Sequence, residues 1–283
     1  MGIKEFKIEF YRAQDINGNS GHGLILSALE LMKQPTTDVI SIFPHDHQVR
    51  NLSFQSREEF YQGIFGTLRD NHLPHIVSKN SDAEKPINME PDENLIEKNY
   101  FLYSCKREVL AYQANGHGSY AGRLAKYISK VAGQEIILAP VLNNDSARRL
   151  MEGDGQAKSI EFSFSWSSPD VFNNKKTRMT EDLFKTLSKT EGARLKMKIT
   201  PPRGKFLSRD MKTFVQDILS SDVKTTIAKL TIENEDGMLH PVDLVASRLI
   251  ARKQVKMAGR YPDLHEMFSK LYESLSEIST NGD

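Results

Sequence analysis

Two clusters of cationic side chains carry the clearest chemistry that this sequence offers. From Ala193 to Thr200 the chain reads ARLKMKIT, so Arg194, Lys196 and Lys198 alternate with Leu195, Met197 and Ile199. A period of two is the signature of a strand with one apolar face, and it gathers three cations on the other face. The next stretch, PPRGKFLSRDMK, adds Arg203, Lys205 and Arg209 around a Pro-Pro-Arg-Gly loop. That loop is stiff at one end and permissive at the other. The second cluster lies in VDLVASRLIARKQVKMAGR, residues 242–260. Arg248, Arg252, Lys256 and Arg260 recur every fourth residue, with Lys253 beside them. The spacing predicts a cationic stripe along one side of a helix capped by Asp243. No acid stands between Asp243 and Asp263, whereas a solvated helix mixes signs.

The whole chain conceals this, with 38 Lys+Arg against 37 Asp+Glu for a net charge of +1. Residues 1–100 hold 10 basic and 15 acidic side chains, while residues 174–260 hold 19 basic and 10 acidic. Cations of this density suit the phosphates of double-stranded DNA, contacted without base readout. An acidic protein partner is the alternative taker.

Other reactive groups are weaker. His45, Asp46 and His47 are metal-ligating types close together, with His72 and His75 following, but no spaced ligand set accompanies them. A divalent-metal nuclease would call on acids such as Asp170 or Glu161, yet the basic strand lacks the Glu-x-Lys such a site wants. The stretch Asn115–Gly116–His117–Gly118–Ser119 reads as a turn with Ser119 capping a helix, and it matches neither a P-loop nor GxGxxG. Cys105 beside Lys106 and Arg107 has no histidine next to it in sequence to make it a nucleophile. No catalytic residue, metal or cofactor is therefore assigned.

The elements that must hold these groups follow from periodicity. Phe6, Ile8 and Phe10 predict an opening strand, and a helix follows at Leu24–Lys33. Asp38–Phe43 reads as a short strand. Ser56 and Glu59 form a capping box that predicts a helix through Arg69. Residues 78–98 read as a polar loop, and Tyr100–Ser104 with Glu108–Gln113 as a hairpin. A helix at Tyr120–Ala132 and a strand at Ile136–Leu142 come next. In the second half Ile160–Trp166 is a strand, Thr180–Lys189 and Ser208–Leu219 are helices, and Thr226–Glu233 with Met238–His240 make another hairpin. Leu264, Met267, Phe268, Leu271, Leu275 and Ile278 form the apolar stripe of a closing helix, facing either the core or a second copy of the chain. The order predicts an α+β fold of two domains with mainly antiparallel sheets, residues 1–153 and a basic unit at 156–283. No apolar run is long enough to span a membrane, the start has no signal-peptide centre, and one cysteine excludes a disulfide framework, so a cytoplasmic location is expected.

From Tyr100 to Ile278 the run of features resembles the RexA-type phage-exclusion proteins of lambdoid prophages. It consists of the hairpin FLYSCKREVLAY, the helix SYAGRLAKYI, the strands IILAPVL and IEFSFSW, the basic strand RLKMKITPP, the strand KLTIENEDG, a late basic helix and an amphipathic close. The resemblance implies a cytoplasmic, homodimeric DNA-binding protein of antiviral defence by abortive infection, with no catalytic centre. Such proteins sense phage DNA complexes and signal to a membrane effector protein that depolarises the cell.

Overall fold

The opening alternation runs beyond its sequence signature: Ile3–Gln14 is one strand, β1. The computed structural model describes residues 2–15, 18–33, 38–71, 73–78, 80, 83–143, 157–165, 186–187, 189, 194–202, 205–207, 214, 224–233 and 239–278. After β1 come helix α1 (His22–Met32) and strands β2 (Ile40–Ile42), β3 (His45–Gln55) and β4 (Phe60–Arg69). The short pair β5 (Ile76–Val77) and β6 (Glu84–Lys85) precedes β7 (Leu95–Ser104), β8 (Val109–Ala114), helix α2 (Ala121–Ala132) and β9 (Ile137–Pro140). Then follow β10 (Ala157–Ser165), β11 (Arg194–Ile199), β12 (Lys224–Glu233) and β13 (Leu239–Asp243). The last elements are β14 (Ile250–Ala258), β15 (Tyr261–Pro262) and helix α3 (Leu264–Ser276).

The fold is α+β, and its sheets are antiparallel. The larger sheet has the order β15-β14-β1-β8-β7-β4-β3-β2, with β9 also pairing β1. Alternation in β1 feeds two cores. Tyr11 and Ala13 pack under α1 and α2 with Phe65, Phe101, Tyr103 and Leu124. Ile8 and Phe10 pack on the opposite face with Leu102, Val255 and the α3 residues Met267, Phe268, Leu271 and Leu275. The sheet is thus sandwiched between helices, and each fully buried large apolar side chain contributes about 1.5–3 kcal/mol. The stripe predicted for the closing helix faces this core, apart from Leu264, which is exposed. Asp263 caps α3 by accepting from the Glu266 N–H at 2.9 Å.

The second sheet has the order β11-β10-β12-β13. One face buries Ile160, Phe162, Phe164, Ala228, Leu230 and Val242 against Phe214. It is joined to the first sheet where Leu142 bridges Arg248, with the Leu249 N–H donating to Val141 O and the Asn143 N–H to Ser247 O, each at 2.8 Å.

Four sequence expectations are corrected. Residues 242–260 do not form a basic helix: the chain turns after Asp243, whose Oδ1 accepts from the N–H groups of Val245 and Ala246, and then extends as β14. The late basic helix in the RexA-type pattern is therefore a strand here. Ser56–Glu59 is the turn of the β3–β4 hairpin and caps no helix, because β4 is clamped between β3 and β7. Ser119 does not cap α2, whose N-cap position is Tyr120 with no side-chain bond to the helix. The expected boundary near residue 153 falls outside the described residues, as do Trp166 and the helices expected at 180–189 and 208–219, save for Thr186, Leu187, Lys189 and Phe214. The closing part of the expected second domain belongs to the first sheet, since β14 pairs with β1 and α3 packs beneath it.

Candidate nucleic-acid interface

Strand β11 confirms the alternation read from ARLKMKIT. Leu195, Met197 and Ile199 turn to the second core, and Arg194, Lys196 and Lys198 are exposed on the other side. The strand forms one edge of its sheet, so the row is not hemmed in by a further described strand. Register places Lys198 beside Glu161 of β10, and Glu161 in turn beside Lys229 of β12. Lys196 Nζ lies 3.1 Å from Glu161 Oε1. Arg194, Lys198 and Lys229 have no ion-pair partner among the described residues. Lys205 is exposed in a turn that its own N–H closes by donating to Pro202 O at 3.0 Å. Arg203 and Arg209 lie outside the described residues. Among the described residues this face holds several cations without an ion-pair partner around one engaged carboxylate.

The second cluster is dispersed. In a strand, residues two apart share a side, so Arg252 and Lys256 remain together on the exposed side of β14 while Lys253 points the opposite way. Arg252 Nη1 is 3.1 Å from Glu5 Oε1, diagonal to it on β1, where Lys7 is its register partner. Lys253 is turned onto α3, with Nζ 2.8 Å from Glu273 and 2.6 Å from Glu277. Burial works to lower the Lys253 pKa, but hydrogen bonds to these two carboxylates outweigh it and raise the value. Arg248 sits half-buried near Glu9, and Glu9 accepts from Lys7 Nζ and Tyr11 Oη, each at 2.6 Å. Burial alone would push the Glu9 carboxyl up, but these bonds and the charges of Lys7 and Arg248 hold it below its ordinary value. Arg260 is exposed where β14 turns into β15. The two clusters belong to different sheets.

A buried polar network, missed in the sequence, gathers two of the residues discussed above, His47 and Ser119. Ser119 Oγ lies 2.8 Å from His47 Nε2 and 2.6 Å from Thr67 Oγ1. The Ser119 N–H donates to Asn99 Oδ1 at 2.8 Å, Asn99 Nδ2 donates to Gln113 O at 2.9 Å, and the Tyr112 hydroxyl donates to Ser119 O at 2.7 Å. His47 stacks on Phe65 with ring centroids 5.1 Å apart. Burial, aided by the charge of Arg123, lowers the His47 pKa to about 4, so the imidazole is neutral at pH 7. A serine and a neutral imidazole at this distance could make a nucleophile and base, but Ser119 is 2% exposed and His47 0%. Buried this deeply, the network fastens the 115–120 loop to β3, β4 and β7. The available signal was the in-phase spacing of His45, His47 and Val49, which marks a strand running straight on from Pro44.

Residues 24–280 match DUF6731, described as a family of unknown function. The chain belongs to the DUF6731 family. A search of curated proteins finds no match. The matched span of this DUF6731 chain begins within α1 and runs through α3, so it takes in the second sheet and every strand of the first except β1.

Among the described residues no three His, Cys, Asp or Glu side chains form a group that could hold a metal ion, and Asp170 lies outside them. Cys105 is only partly exposed, and burial together with the charge of Glu59 raises its pKa, which disfavours the thiolate. No helix among the described residues is long and apolar enough to cross a membrane.

Proposed function

We propose that this DUF6731 protein binds double-stranded DNA through the polar face of its second sheet, contacting backbone with little sequence preference. One observation carries the reading. Arg194, Lys196 and Lys198 stand in a row on the solvent side of edge strand β11, and among the described residues the carboxylate beside them, Glu161, pairs with Lys196 alone. Neighbours in the row are about 6.6 Å apart, so it extends over about 13 Å and meets several phosphates instead of one. Like charges fixed this closely repel one another in the free protein, and a polyanion relieves the repulsion while releasing its own counterions. Phosphate contacts read no base edges, hence the low sequence preference. Lys229, on the other side of Glu161, widens the face. Arg252 and Lys253 are left outside the proposed interface because carboxylates already engage them. The likeness to RexA-type proteins supports the same ligand, and a homodimer in the cytoplasm acting on a membrane effector is proposed on that likeness alone.

The test is fluorescence anisotropy with labelled duplexes of two unrelated sequences across a salt series. Two phosphates neutralised by Arg194 and Lys198, the members of the β11 row that Glu161 does not engage, give a slope of log affinity against log salt of about −1.8. A fourfold rise in salt then weakens binding about 12-fold. Lys198→Ala is expected to flatten the slope by about 0.9 and to weaken both duplexes alike. Unchanged affinity in Arg194→Glu plus Lys198→Glu would remove β11 from the interface. Failure to bind any duplex at low salt would favour an acidic protein partner instead.

A further inference from the structure

The loop that follows the cationic row carries an exposed aromatic ring, Phe206. Beyond Ile199 the chain turns through Pro201 and Pro202 and returns to the sheet, where the Leu207 N–H donates to Ala157 O at 2.8 Å. Leu207 packs on the second core, while its neighbour Phe206 is 39% exposed. The register of β10 shifts between Ala157 and Ser159, and the intervening Lys158 places Nζ 4.0 Å from the centroid of the Phe206 ring. Lys205, next in the chain, is exposed as well. Glu161, the register partner of Lys198, is three residues from Lys158, about 10 Å along the strand. The end of the row is thus followed, about 10 Å along β10, by a ring that carries the Lys158 ammonium over one face.

The pieces differ in what they recognise. Arg194, Lys196 and Lys198 suit backbone phosphates whether or not the bases are paired. An exposed ring suits the face of a base, which would stack on the side opposite the Lys158 ammonium. A base inside a continuous duplex has both faces covered by its neighbours, so it cannot use the ring. We propose that the preferred ligand is duplex DNA adjoining an unpaired base, with the paired part on the β11 row and the unpaired base stacked on Phe206. This inference rests on the DNA reading above and narrows its ligand.

The experiment compares a blunt duplex, the same duplex carrying a short single-stranded overhang, and the overhang strand alone, with the full chain. Stacking on one aromatic side chain is expected to favour the overhang duplex over the blunt one about five-fold or more. Phe206→Ala is expected to abolish that preference while leaving blunt-duplex affinity unchanged, and Phe206→Tyr to retain it. A 2-aminopurine at the first unpaired position is expected to be quenched by the wild-type chain and by Phe206→Tyr, but not by Phe206→Ala. Equal affinity for blunt and overhang duplexes, or a preference that survives Phe206→Ala, overturns the stacking role and leaves the duplex reading standing. Binding of the single strand without the blunt duplex overturns the duplex reading, and with it the two-part ligand proposed here. No binding of any of the three overturns both.

Discussion

Replacing His47 by Gln removes a fully buried imidazole, and the consequence is best read in how stability depends on pH. In the folded chain its pKa is lowered from 6.5 to about 4, chiefly by burial. Between those two pH values the unfolded chain carries a proton on this side chain that the folded chain does not. Stability from the neutral imidazole is thus fully present above pH 6.5 and is lost as pH falls to about 4. At about 1.4 kcal/mol per pH unit, the interval amounts to about 3 kcal/mol. Against a domain stability of about 5–15 kcal/mol this is a large fraction. The assay is urea unfolding at several pH values between 7 and 4, run on wild type and His47→Gln in parallel. The variant starts lower at pH 7, since it gives up the ring's stacking on Phe65 and strains its bond to Ser119. Its stability is expected to fall less steeply on acidification, so the two curves converge toward pH 4. His45 also has a lowered pKa, but it is present in both proteins and cancels in the difference. Parallel curves, with a constant gap across the range, would refute the claim that His47 is held neutral by its surroundings.

Two further outcomes test the frame around the interface. Gly118→Ala would drive a Cβ into Asn99 Oδ1, and Asn99 cannot yield because it is buried and bonded to Ser119 and Gln113; a loss of about 1–3 kcal/mol is expected in thermal or urea unfolding. Lys253→Met removes two ion pairs between β14 and α3, whose carboxylates are largely exposed, so the expected cost is only about 1 kcal/mol. Hydrogen bonds from Lys253 and Lys270 hold the Glu273 carboxyl below its ordinary 4.5. That contribution is present above pH 4.5 and is lost as the carboxylate takes up a proton, so wild type and Lys253→Met should approach each other in acid.

Elements with one wet and one dry face were legible. The alternation in Arg194–Ile199 and Ile160–Phe164 and the stripe of α3 each matched the period of the element that formed. The misreadings came where two periods coincide or where both faces are buried. A spacing of four satisfies a helix face and a strand face equally, so Arg248, Arg252, Lys256 and Arg260 could not decide between them. Leu249, Ala251, Val255 and Met257, all two or four apart, carried the strand signal, and Lys253 interrupted it. Strand β4 is dry on both sides, which erased its alternation, and a Ser-x-x-Glu turn just before it imitated a helix start. The β11 row was readable because nothing but its own strand positions it. The Ser119–His47–Thr67 network was not, because its members come from three separate segments and meet only once the sheet has formed.

Strand β1 lies between β8 and β14, and its pairs with β14 join residues as distant as Ile3 and Lys256. A polypeptide emerging from the ribosome therefore makes its first strand long before that strand's last neighbour exists. Until Ile250–Ala258 and the helix after it have been synthesised, Ile8 and Phe10 have only part of their apolar cover. Contacts this distant in sequence slow assembly and lengthen the time during which a bare strand edge can meet another nascent chain. The nested second sheet, whose pairings are all internal, can be finished while the first still waits.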